Sequence, residues 1–104
     1  MKAIIEMRRY DTTKADLIAT WSNGALPGDF RRCEETAYLT KGGAWFLHGD
    51  GGALSKYAKP YEGGRGTIGS QEIIPLSNDE AAAWLATHDV EACEKHFPQS
   101  IKDA

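Results

Sequence analysis

Three groups of residues carry side chains that could do chemistry at their spacings. The first is His48-Gly49-Asp50-Gly51-Gly52-Ala53-Leu54-Ser55-Lys56-Tyr57. An aromatic, extended run passes into glycines and then into a candidate helix start, a setting in which backbone N–H groups converge on an anion. The competing account of these glycines is a tight turn that needs positive φ angles. His48 and Asp50, two apart, share a side of an extended chain and offer a base with its orienting carboxylate, or two metal ligands. No third ligand stands at a recognisable spacing, and His88 and His96 are eight apart in a helical context. No Gly-Lys-Ser/Thr triplet closes a Walker loop, and Gly49, Gly51 and Gly52 depart from the dinucleotide fingerprint. Ser55 lies outside any Gly-x-Ser-x-Gly elbow, and neither Cys33 nor Cys93 sits in a CxxC or activating motif. The segment therefore reads as a binding surface, with His48, Asp50, Gly51, Gly52, Ser55, Lys56, Tyr57, Lys59, Tyr61 and Arg65 as candidates. No catalytic residue, metal site or cofactor is expected.

The second group is basic. Arg8-Arg9, Arg31-Arg32, Lys56, Lys59 and Arg65, with Tyr57 and Tyr61 interleaved, are the residue types of a single-stranded nucleic-acid surface. The formal net charge of −3 argues against a protein that coats nucleic acid through its whole field. The third group is acidic: residues 66–104 hold seven Asp/Glu against two Lys/Arg. Asp79, Glu80, Glu91 and Glu94 there form either a solvated helix face or a patch that meets a basic partner.

These residues must be positioned by short elements. Lys2–Arg9 reads as a strand, and Thr13 with Asp16 as a weakened capping box. Ala15, Leu17, Ile18 and Trp21 fall at helical spacings, which predicts a helix of about ten residues ended by Asn23-Gly24. Glu34–Thr40 and Ala44–His48, rich in Thr, Tyr, Trp and Phe around Lys41-Gly42-Gly43, predict a β-hairpin. Trp45 and Leu47 then share one sheet face, and Phe46 and His48 the other. Gly49–Gln71 reads as a long loop, seven of its twenty-three residues being Gly, with a short helical turn within Ala53–Lys59. Glu72–Leu76 is a last strand, placed at an edge by Pro75. Ser77 to Glu80 is a capping box opening a helix to about Thr87. Asp89 caps a further helix, Val90–Phe97, with Val90, Cys93 and Phe97 on its buried side.

At 104 residues, and with neither a repeat nor a linker, the chain reads as one α+β domain. Its expected architecture is an antiparallel or mixed sheet of about four strands with three short helices packed on one face. The opening residues lack a signal peptide's apolar core, so a cytoplasmic location with reduced thiols is expected. A monomer or a homodimer is compatible with the apolar content.

The strings Arg9-Tyr10-Asp11-Thr12, Glu34-Glu35-Thr36-Ala37-Tyr38-Leu39-Thr40, Trp45-Phe46-Leu47-His48-Gly49-Asp50-Gly51-Gly52, Ser55-Lys56-Tyr57 and Ile74-Pro75-Leu76-Ser77 resemble a group of small bacterial proteins like those of prophages and mobile elements. The resemblance brings no active site. It implies a stoichiometric, protein-binding accessory role, including anti-CRISPR-type inhibition of host defence. The alternative expectation is a small-ligand, nucleotide or single-stranded nucleic-acid binder that uses the glycine-rich loop.

Overall fold

The computed structural model describes every residue from Met1 to Ala104. In chain order it forms β1 (Lys2–Ile5), β2 (Arg8–Asp11), β3 (Asp16–Ser22), β4 (Cys33–Leu39), β5 (Trp45–Gly51), β6 (Lys59–Pro60), β7 (Thr67–Ile68), β8 (Ser70–Leu76), α1 (Asn78–His88) and α2 (Val90–His96), and then a 3₁₀ turn at Pro98–Ser100. Four strands make one antiparallel sheet in the order β3-β4-β5-β8, while β1–β2 and β6–β7 are separate two-stranded hairpins. The α+β class and the four-stranded antiparallel sheet agree with the sequence reading. Two α-helices stand where three were expected, and the two small hairpins are additional.

The predicted helix after Thr13 is a strand. β3 pairs along its length with β4, from Asp16 opposite Leu39 to Ser22 opposite Glu34, with a bulge between Leu17 and Ala19. The bulge explains the misleading period. Alternation alone would place Leu17, Ala19 and Trp21 on one face, but the extra residue turns Ile18 toward the core that Ala19 enters and leaves Leu17 58% exposed. Ile18 and Trp21, three apart, then both meet the helix-covered side, a spacing that mimics a helix. The ladder to β4 overrides the weak helical preference of a short segment rich in β-branched and aromatic residues. The oxygen-bearing residues before it form a turn in place of a helix cap: Asp11 Oδ1 accepts from Thr13 N–H at 2.9 Å and from Thr13 Oγ1 at 2.7 Å.

The single strand expected over Lys2–Arg9 is two strands, reversed at Glu6 and Met7, whose φ angles are 51° and 64°. Two consecutive left-handed residues make the twist-compatible two-residue hairpin turn, here without the usual Asn-Gly. Elsewhere local signals agree with the fold. β4 and β5 form the expected hairpin, and β8 is an edge strand carrying Pro75 opposite Phe46. Ser77 and Glu80 close a reciprocal capping box on α1, and Asp89 accepts from Ala92 N–H to cap α2. Val90, expected inside, is 59% exposed, whereas Cys93 is buried.

Both faces of the sheet are covered. On one, Trp45 and Ala19 pack with Ala81, Leu85 and Cys93 of the helices. On the other, Phe46 and Ile73 pack against Tyr10 of the β1–β2 hairpin, the Tyr10 ring meeting Phe46 edge-on at 5.5 Å. The molecule is flat, 50 × 34 × 20 Å, and only fifteen residues are buried. Several large apolar side chains, among them Met7, Leu26, Phe30 and Leu54, are therefore left exposed. No helix is long and apolar enough to cross a membrane.

Candidate functional site

The glycine-rich segment is organised by a buried carboxylate, Glu35, that belongs to no sequence motif. On β4, Cys33, Glu35, Ala37 and Leu39 alternate onto the helix-covered face. Glu35 thus enters an apolar row and is only 3% exposed. Its Oε2 accepts from the Tyr57 hydroxyl and lies 2.6 Å from Lys56 Nζ, while Oε1 accepts from Trp84 Nε1 at 3.1 Å. Burial pushes the Glu35 pKa up, but hydrogen bonds from Lys56, Tyr57 and Trp84 outweigh it and hold the group below its ordinary value. Burial, and then the bond to Glu35, drive the Tyr57 phenol far above its usual range. A carboxylate made less basic beside a phenol made less acidic is poorly matched to proton transfer at neutral pH. It is well matched to tying β4, the loop and α1 together.

The glycines serve this arrangement by lacking a Cβ. Added Cβ atoms would fall 1.9 Å from Tyr57 Cζ at Gly49, 2.1 Å from Ser55 Oγ at Gly51 and 2.5 Å from the Phe30 carbonyl oxygen at Gly52. None of the three has positive φ, so the turn explanation is corrected to close approach. No helix follows them: Ala53–Tyr57 is a run of turns and a bend. The local N–H groups are used internally, Gly52 to Arg32 O, Leu54 to Phe30 O, Ser55 to Gly52 O and Tyr57 to Ser55 Oγ. The converging anion cradle expected from sequence is therefore not formed.

The sequence-selected residues separate into several places. His48 and Asp50 do share a side, but His48 Nε2 bonds Gln71 Oε1 at 2.8 Å while Asp50 binds Arg32 at 2.9 Å. No group of three His, Cys, Asp or Glu side chains comes together as a ligand set. Ser55 and Tyr57 face inward, and Tyr57, expected at the surface, is 3% exposed. Lys56 has an exposed stem and spends its charge on Glu35. Lys59, Tyr61 and Arg65 are exposed on and around the β6–β7 hairpin. Asp79, Glu91 and Glu94 are exposed on the helices, while Glu80 is engaged by its capping box. Cys33 and Cys93 are buried free thiols, and burial beside Glu35 raises the Cys33 pKa.

Gly51 and Gly52 floor an open depression of about 750 Å³ at the end of the sheet where β3 and β5 finish and β4 and β8 begin. The Arg32–Asp50 pair lies in it, and Phe30 and Ile68 line it. Phe30, Leu54 and Ile68 are exposed by 66%, 62% and 50%. They are not adjacent in sequence, and their only sequence signal is apolar side chains in loops.

No family model, curated protein or solved structure matches the chain.

Proposed function

We propose that the chain is a stoichiometric binding protein that docks a protein partner through the glycine-floored end of its sheet. The observation that carries this reading is the exposure of Phe30, Leu54 and Ile68 on segments already tied to one another. Leu54 N–H donates to Phe30 O at 2.8 Å, Gly52 N–H to Arg32 O at 2.9 Å, and Thr67 Oγ1 to Ala53 O. Exposed apolar side chains on a pre-ordered frame are the elements of an interface centre, because little further ordering entropy opposes binding. The Arg32–Asp50 pair supplies polar register at the floor. Asp79, Glu91 and Glu94 offer a second, acidic contact to a basic partner.

The resemblance to small mobile-element proteins gives the role we assign: inhibition of a host-defence effector, of the anti-CRISPR kind. The test is co-elution with a panel of purified CRISPR effector complexes at low and high salt, alongside phage plating on hosts carrying those systems. Binding to one effector, restored plating, and loss of both in Phe30→Glu with Leu54→Glu are expected. No complex with any effector at low salt overturns the inhibitor role. A complex that survives the double substitution removes the docking surface proposed here.

A further inference from the structure

The opposite end of the sheet carries a basic cleft, and we propose that it holds the sugar–phosphate backbone of a single nucleic-acid strand without reading its bases. This inference is independent of the docking surface above. The cleft has a volume of about 560 Å³ and lies between the β2–β3 segment and the β4–β5 turn. Arg8, Arg9 and Lys14 line one side, and Thr40, Lys41 and Gly42 the other. Residues about thirty apart in sequence thus place four cations around one concavity, in a chain of net charge −3.

The cations are available. No carboxylate lies within 4.0 Å of Arg8, Arg9 or Lys14, since the ion pairs of the molecule involve Arg32, Lys41 and Lys56 only. Lys41 is 2.8 Å from Asp16, but both side chains are largely exposed, so a phosphate can compete for the ammonium. Asp11 is the one carboxylate lining the cleft; the Thr13 N–H and hydroxyl bind its Oδ1, and its charge offsets part of that of Lys14. Arg8, Arg9 and Lys14, without ion-pair partners, and the exposed ammonium of Lys41 focus field on an anion in the concavity.

The lining also says which part of the ligand is met. Tyr10, the cleft's one aromatic, is 6% exposed and already packed on Phe46, and the other apolar lining residues are Ala15 and Ala44. No ring is free to stack a base, and no apolar slot encloses one, as a nucleotide site requires. Flexible exposed cations on two walls suit successive phosphates of one strand. The concavity is too small for a duplex to enter.

The test is fluorescence anisotropy of the intact protein with a labelled oligothymidylate of about 12 nucleotides, over a salt series. Each neutralised phosphate adds about 0.7 to the slope of log K against log salt, so four cations predict a slope of about −3. Arg8→Ala with Arg9→Ala and Lys14→Ala should bring the slope to about −1 and weaken binding at low salt by at least tenfold. These side chains are exposed, and unchanged circular dichroism checks the fold. Lys59→Ala with Arg65→Ala should leave binding unchanged. No binding at low salt, or equal binding by the triple variant, overturns the proposal. So does equal affinity for duplex of the same length, or for thymidine triphosphate as competitor at matched phosphate concentration.

Discussion

The ring of Tyr57 lies across Gly49, so close that a Cβ on the glycine would stand 1.9 Å from Tyr57 Cζ. Across the sheet Gly49 is opposite Glu35, and the tyrosine crosses the glycine to place its hydroxyl on that carboxylate. A missing side chain on one strand thus lets a loop residue reach a buried charge on the next.

Gly49→Ala should destabilise the protein by about 3 kcal/mol, because the methyl group cannot enter without displacing Tyr57 and its bond to Glu35. Urea unfolding reads this as a lower midpoint with an unchanged slope. A change below about 0.5 kcal/mol would show that the ring does not occupy that position.

Removal of the carboxylate and removal of its exposed cation should differ. Glu35→Ala strands the Tyr57 hydroxyl and the Trp84 indole N–H away from water and should cost about 3 kcal/mol. Lys56→Met should cost about 0.5 kcal/mol, because the lysine side chain is 61% exposed and its pairing is screened. Equal losses in the two variants would mean that the ion pair, rather than the buried hydrogen bonds, secures the loop.

Stability should fall at both ends of the pH scale, through two neighbouring groups. The Glu35 pKa is depressed in the folded state, so its contribution is present above the unfolded glutamate value and is lost as pH drops through the lower folded value. The Tyr57 pKa is raised, so its contribution is complete below the unfolded tyrosine value near 10 and declines as pH climbs beyond it. Thermal melts from acid to strong alkali should show both limbs. Tyr57→Phe should flatten the alkaline limb, and an unchanged limb would refute this assignment.

The β1–β2 turn stores removable strain. Glu6→Asn with Met7→Gly fits residues suited to the left-handed region at φ 51° and 64° and should stabilise by about 1 kcal/mol. Met7 is 92% exposed, so loss of its packing should subtract little. A lower melting temperature in this variant would show that the turn has a different conformation in solution.

What was legible in the sequence was chemistry between near neighbours. Ser77 and Glu80 are three apart, Asp89 reaches Ala92, and the β4–β5 hairpin turns at glycines between aromatic runs. Pro75 marked its edge because it has no N–H for a further strand. In each case the partner groups lie within a few residues, so residue type and spacing suffice to place the bond.

The buried glutamate, the reason for the glycines and the basic cleft were decided by tertiary structure. Residues 16–22 became a strand because β4 supplied a ladder and a bulge carried Ile18 into the core, which no local helical period can reveal. Glu35 draws on donors twenty-one, twenty-two and forty-nine positions away. The only local trace of it is a carboxylate that alternates with Cys33, Ala37 and Leu39 along β4. Gly49 is required by a ring eight residues later that returns across the sheet, and Arg8 and Lys41 meet only when the two turns come together. Such long-range contacts depend on which strands pair and in what register, and pairing follows from burial summed over the whole sheet rather than from any one segment. The sequence alone determined the α+β class, the hairpin and the helix caps; the fold decided where the charges and the open apolar surfaces lie.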